Sequence, residues 1–283
     1  MKIKITGETS CDLSPELIKK YNIGIIPVHI ALGDKEYNDS ATISPEEFYS
    51  FLKTSSVLPK TSAYNPMEAR DFFEEQLNSD GGYDAIIHFT ISSQISSIYQ
   101  NAFVASQEFD GKVFVVDSRS LSVGTAMQMI YACDLVAEGL DAATIYKKVC
   151  ERVDSVQASF VLDKLTYLHK GGRCSGVAAF AASALGIKPI IVLENGQMKV
   201  GKKLMGKFEK SVEGYINYVF STHPDVDTKR AFIAHTPMDN PALVELMINK
   251  LKEKFDEVYE MDAGCTIGSH CGPNTIGMMY YTK

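Results

Sequence analysis

The sequence predicts an α/β protein built on a parallel sheet, and three observations carry that reading. Short apolar runs alternate with helix-length amphipathic stretches up to about residue 150, the rhythm of β-α-β units with helices on both faces. Helix starts are signalled by Ser14-Pro15 and Ser44-Pro45, a capping hydroxyl followed by proline at the first helical position. After about residue 150 the texture changes, and Asn195-Gly196 sits between two strand-like runs as a hairpin turn.

In chain order, "MKIKIT" is read as a strand, "SPELIKKY" as a helix, "GIIPVHIAL" as a second strand and "SPEEFYSFLK" as a helix. The loop "KTSAYNP" leads to a helix in "NPMEARDFFEEQL", capped by Asn65. The strand "YDAIIHFTI", the helix "QISSIYQNAFVASQEF" and the strand "KVFVVDS" follow. A long, mostly apolar helix spans "LSVGTAMQMIYACDLVAEG" and stops at Gly139. Beyond it come the strand "VQASFVL", the segment "LTYLHKGGRCSG" and the apolar tract "GVAAFAASALGIKPIIVL", read as a buried helix and a strand. The hairpin "VLENGQMKVGKKL", the helix "KSVEGYINYVF", the strand "RAFIAHT", the helix "PALVELMINKLKEKF" and the strand "EVYEMD" complete the alternation. The chain ends in a glycine-rich loop and a terminal strand, "GCTIGSHCGPNTIGMMYYTK". No flexible linker is visible, so the two halves are expected to pack on each other, and ligand sites favour such clefts.

Composition narrows the function. The chain has 283 residues, 45% hydrophobic and 22% charged, with a net charge of −7. An acidic chain without a Lys/Arg cluster argues against nucleic acid or anionic lipid as the main partner. Lys188 and Pro189 interrupt the longest apolar tract, short of the ~20 apolar residues a spanning helix needs. The N-terminal stretch lacks an apolar signal-peptide core, so a cytoplasmic location and reduced cysteines are expected. Cys133 and Cys150 fall in helical patterns and read as small core residues, whereas Cys174 and Cys271 lie in glycine-rich loops and are candidates for reactivity. The six histidines are scattered and no Cys/His spacing fits zinc, so neither a metal nor a cofactor is expected.

Four stretches are candidates for chemistry. "TISSQISSIYQNA", residues 90–102, puts four serines just after a buried strand. A strand-to-helix turn with free N–H groups and hydroxyls suits an anion; the alternatives are a plain helix cap with a polar first turn and a nucleophile, for which the glycines of the G-x-S-x-G elbow are missing around Ser93. Thr61 and Ser62 precede a helix cap. "LHKGGRCSG" joins Gly171-Gly172 to Lys170 and Arg173, cations suited to a phosphate or carboxylate. His270 stands between glycines in "GSHCGPNTIG". Asp117, in "VVDSRSLSVGTA", is expected to fasten neighbouring loops by accepting N–H bonds. Met127, Met129, Ile130, Phe180 and Leu185 are expected to pack in the core, with the wall of a tunnel as the alternative.

Taken together, "ETSCDLSPEL", "TSAYNP", "ISSQISSIYQNA", "VVDSRSLSVGTA", "LTYLHKGGRCSG" and "SHCGPNTIG" are collinear with, and resemble, the DegV family over nearly the whole chain. The resemblance implies a two-domain α/β fold: an N-terminal Rossmann-like parallel sheet, residues 1–152, and a C-terminal α/β domain with a mixed sheet, residues 153–283. It implies a long-chain fatty acid held non-covalently at the interface. It also implies an ATP-dependent fatty acid kinase as a separate partner that phosphorylates the acyl carboxylate for phospholipid synthesis, the chain itself being no enzyme. By family pattern, Thr61, Ser62, Ser93 and His270 are the expected carboxylate contacts, and Arg173, Lys170 and Lys202 the expected kinase-docking or headgroup contacts. The alternatives are an acyl hydrolase using Ser93 and a lipid sensor without a kinase. The sequence departs from the pattern at Glu8-Thr9, at Ser97, after Thr61-Ser62, and at Leu204-Met205.

Overall fold

The structure, a computed structural model, describes residues 1–174 and 186–283. Four parallel strands form the first sheet, in the order β2-β1-β6-β7. They are β1 (Ile3–Glu8), β2 (Gly24–Ile26), β6 (Ala85–Thr90) and β7 (Val113–Asp117). Every residue of β1 and β6 is buried, as central parallel strands covered on both faces must be. The connecting helices are α1 (Pro15–Tyr21), α3 (Pro66–Asn78) and α4 (Ile98–Ser106). Ser14 caps α1, and Asn65 caps α3 by accepting from Met67 and Glu68 N–H. Ser44 caps α2 (Pro45–Thr54) with a reciprocal bond from Glu47.

"GIIPVHIAL" is two strands, not one. Proline at position 27 has no N–H to give a ladder, and the chain changes sheet there. β3 (His29–Leu32) pairs antiparallel with β4 (Lys35–Asn38) and with β5 (Lys60–Ser62), a small sheet in the order β4-β3-β5. The expected loop at "KTSAYNP" therefore begins with a strand.

The second large sheet is mixed, in the order β10-β9-β8-β13-β11-β12. Its strands are β8 (Val156–Leu162), β9 (Ile187–Glu194), β10 (Gln197–Met205), β11 (Val226–His235), β12 (Glu257–Asp262) and β13 (Thr275–Thr282). Asn195 and Gly196 both have positive φ, 51° and 76°, the geometry of the tight turn that joins β9 to β10. The helix expected at the start of the tract "GVAAFAASALG", with Phe180 and Leu185, lies outside the described residues.

Helix α5 (Val123–Ala137) packs against β1 and β6 and also against β8, β11 and β13. It is apolar on nearly every side because it is buried between the two large sheets. Met127, Met129 and Ile130 are core residues there. The remaining helices are α6 (Ala142–Arg152), α7 (Thr166–Gly171), α8 (Phe208–Thr222), α9 (Ala242–Lys252) and α10 (Cys265–Cys271). The last corrects the expected glycine-rich loop: the segment carrying His270 is a short helix. Cys150 is exposed rather than a core residue, while Cys174 and Cys271 are buried rather than accessible. Burial pushes the Cys271 thiol up to about 12, which removes it from thiolate chemistry near neutral pH.

Candidate functional site

The topology marks a crevice before any side chain is considered. From β1 the chain turns to β2 on one side, and from β6 it turns to β7 on the other. Open parallel sheets bind ligands at that switch point, beyond the C-terminal ends of the diverging strands. Ser10 follows β1 there, and Ile91 and Ser93 follow β6. All three line a cavity of about 630 Å³, within the range of small-molecule sites.

The cavity wall is mixed. Val28, Ile91, Ile95, Ile98, Leu121 and Leu168 supply apolar surface, joined by Met198 of β10 and Ile267 of α10. Thr61, Ser62, Ser93, Arg173 and His270 also line it. Segments more than 200 residues apart in the chain thus meet, for Thr61 Oγ1 and His270 Nε2 are hydrogen-bonded at 2.8 Å. His270 Nδ1 is buried without a partner among the described residues. Burial, reinforced by the Arg173 charge, lowers the His270 pKa to about 4, so the imidazole is neutral at pH 7. It packs against Gly171, where a Cβ would stand 2.6 Å from Nδ1; glycine permits that approach.

The serines of "ISSQISS" divide their work. Ser92 Oγ donates to Gly196 O at 2.7 Å and ties the turn to the tip of the β9–β10 hairpin. Ser93 donates twice to Asp117, from N to Oδ1 at 3.0 Å and from Oγ to Oδ2 at 2.5 Å. Asp117 also accepts the Arg119 N–H at 3.0 Å, the fastening role expected for it. Ser96 Oγ accepts from Ile98 N at 3.3 Å, at the start of α4. This helix begins at Ile98 rather than Gln94, because residues 92–97 form the turn that lines the cavity. Arg173 is exposed, and its Nη1 donates to Gly171 O at 2.6 Å. Lys170 and Lys202 are exposed and stand outside the cavity lining. Lys202 Nζ lies 5.8 Å from the Tyr218 ring centre.

Two buried carboxylates anchor α10, and with it His270. Asp12 Oδ1 accepts the Gly264 N–H at 2.8 Å, and Asp39 Oδ2 accepts the Thr266 N–H at 2.9 Å. Asp12 also accepts from the Ser122 hydroxyl. Burial raises its pKa to about 8, against the pull of these bonds. Behind Ser10 and Ile91 lies Glu8, which accepts from Ser10 Oγ at 2.7 Å and Ile91 N at 2.8 Å. Tyr64 OH donates to Glu8 Oε2 at 3.4 Å and meets His88 Nε2 at 3.0 Å. Burial raises the Glu8 pKa to about 7 and lowers that of His88 to about 3.

A model of the DegV family, described as uncharacterised protein, matches residues 2–283. The chain belongs to the DegV family. A relative from Thermotoga maritima named as a fatty acid-binding protein is 30% identical, with 98% of this chain and 96% of that protein aligned. A DegV lipid binding protein from the same organism has a solved structure that superposes with a TM-score of 0.87 at 27% identity, covering all of both chains. The fold is also that of a DegV protein from Thermus thermophilus, with a TM-score of 0.90 at 24% identity over all of both chains.

Several DegV cavity residues escaped sequence reasoning. Ser10, Leu121, Thr266 and Ile267 line the space but lie in no stretch whose local pattern says so. The signal for Ser10 was its place one turn beyond β1, the counterpart of Ser93 beyond β6. Among the described residues there is no His/Cys/Asp/Glu cluster able to hold a metal and no helix long and apolar enough to cross a membrane.

Proposed function

We propose that this protein binds a long-chain fatty acid non-covalently in the switch-point cavity and presents its carboxylate to an ATP-dependent fatty acid kinase. The observation that carries the reading is a single cavity whose walls join aliphatic side chains to Thr61, Ser93 and His270. A fatty acid needs both environments. Its tail is stabilised by about 0.8 kcal/mol per buried methylene, so a dozen methylenes supply on the order of 10 kcal/mol before the costs of binding. Its carboxylate must find hydrogen bonds on leaving water, and the hydroxyls, with the N-terminus of α4, supply donors beside the Arg173 side chain that also lines the cavity. The names of DegV relatives as fatty-acid- and lipid-binding proteins support the same reading.

In this proposal residues 1–152 and 153–283 are the two domains and the acid lies between them. Arg173 stands at the headgroup, and Lys170 and Lys202 offer charge to the approaching kinase. The chain carries the acid, and the phosphoryl transfer belongs to the partner. Against the hydrolase alternative, the Ser93 hydroxyl bonds to a carboxylate, Asp117, and not to a histidine. The test is denaturing extraction of purified protein followed by mass spectrometry. A free fatty acid in near-stoichiometric yield is expected. An acyl adduct on Ser93, or no lipid together with no uptake of added acid, would refute the reading. Addition of a kinase subunit and ATP then separates a kinase carrier, which yields acyl phosphate, from a lipid sensor, which does not.

A further inference from the structure

The Ser93 hydroxyl already has an acceptor inside the protein. Its Oγ donates to Asp117 Oδ2 at 2.5 Å, while Ser93 N donates to Oδ1 at 3.0 Å. Asp117 ends β7 directly beside Thr90 at the end of β6, so it sits under the turn that carries Ser93. It is not part of the cavity wall. A hydroxyl has one hydrogen. While that hydrogen is given to Asp117, Ser93 offers the cavity lone pairs only. An ionised carboxylate is acceptor-only and gains nothing from them.

We propose that Asp117 is a positioning residue that competes with the bound carboxylate for the Ser93 hydroxyl, and so sets how tightly the site holds an acid headgroup. The inference rests on the fatty-acid reading above and adds to it a residue that touches no ligand. Asp117 holds the turn through the Ser93 N–H and its own loop through the Arg119 N–H. Its charge lies one hydroxyl away from the headgroup and opposes a second anion. On binding, the hydroxyl exchanges one anionic acceptor for another, so its net gain is small. On release, Asp117 takes the hydrogen back. A site built this way retains lipid through its tail and grips the reacting carboxylate lightly, as a carrier that must hand over its cargo requires.

The experiment uses delipidated full-length protein and cis-parinaric acid, a fluorescent fatty acid. In Asp117→Asn the amide oxygen keeps the Ser93 and Arg119 N–H bonds, its NH₂ donates to Ser93 Oγ, and the hydroxyl hydrogen turns to the cavity. The expected result is about ten-fold tighter binding, the worth of one hydrogen bond to a charged acceptor. In a Ser93→Ala background the same change should give a clearly smaller gain, because coupling between the two positions is what the proposal asserts. An equal gain with and without Ser93, or weaker binding by a folded Asp117→Asn protein, overturns it. A second arm uses a fatty alcohol of matched length, which can donate to the Ser93 lone pairs. In an Arg173→Ala background, which removes the cation from the cavity lining, the alcohol should bind within about ten-fold of the acid, and a larger preference for the acid overturns the proposal. Wild-type protein that takes up neither probe sinks the lipid reading itself.

Discussion

Thr61→Val tests whether the hydroxyl that bonds His270 also holds the headgroup, as proposed. The change is nearly isosteric and removes the group 2.8 Å from His270 Nε2. Without ligand, His270 loses that partner while Nδ1 already has none among the described residues. A buried polar group stripped of its partner costs about 1–3 kcal/mol, and a chain of this size melts about 2–4 °C lower for each kcal/mol. With ligand, a hydrogen bond to a carboxylate is also lost, about 1.5–3 kcal/mol or roughly a 10- to 100-fold weaker Kd. The assay is thermal melting of delipidated protein with and without oleate. At a ligand concentration a hundred times the wild-type Kd, the wild type gains about 2.7 kcal/mol. The same concentration gives Thr61→Val about 1.4 kcal/mol if Kd rises ten-fold and about 0.4 kcal/mol if it rises a hundred-fold. A variant with a lowered melting temperature but the full wild-type ligand shift would show that Thr61 serves His270 alone, and the headgroup assignment would fail.

Three further outcomes are expected. Folded Glu8 and Asp12 have pKa values raised by burial to about 7 and about 8, above the ~4 of an unfolded carboxylate; the folded state therefore holds protons that the unfolded state releases, and stability falls as pH rises across that window. His88 and His270, lowered to about 3 and about 4, act oppositely and add stability as pH rises toward ~6.5. Urea unfolding should accordingly show a decline from pH 6.5 to 8 that Glu8→Gln reduces; parallel wild-type and variant curves would reject the assignment. Cys150, the exposed thiol among the described residues, should be alkylated in the native protein well before buried Cys11, Cys265 and Cys271, and mass mapping of a timed reaction checks the order. Gly196→Ala should destabilise by about 1 kcal/mol or more, because φ is +76° and a Cβ would meet Ser92 Oγ at 2.5 Å; a melting curve matching wild type would show that the hairpin tip is not locked onto the serine turn.

The parts of the fold legible in the sequence are those decided within one segment. Ser14, Ser44 and Asn65 announce their helices because a cap is a bond between neighbours. The core strands β6 and β7 are mostly apolar along their own length. Asn195-Gly196 is a turn whatever surrounds it. What failed locally was decided elsewhere in the chain. β5 has only three residues, two of them exposed, and exists because His29 and Ile30 pair with Ser62 and Thr61. The helix carrying His270 contains glycine and has neither a side-chain cap nor an acidic residue in its first turn. It forms where Asp12 and Asp39, more than 200 residues away, accept its first N–H groups.

The candidate site follows the same division. Ser93 and Arg173 belong to stretches odd enough to attract notice alone. The Thr61–His270 bond does not, because each partner owes its position to an element that the local pattern hides. The same holds for charge. Nothing in "GETSCD" distinguishes Glu8 and Asp12 from surface acids, yet both are fully buried and protonate near neutral pH. Each is tied to a part of the site: Glu8 to Ser10 and Ile91 of the cavity wall, Asp12 to the start of the helix that holds His270. Buried acids are costly unless their bonds are made; Glu8 makes its bonds within the first half of the chain, whereas the Asp12–Gly264 bond is made only when the two halves stand in register. Asp12 thus reports on assembly of the cavity. A structure in which the C-terminal segment is displaced loses the Asp12–Gly264 and Asp39–Thr266 bonds together with the Thr61–His270 contact, so the cavity wall and the packing of these segments change together.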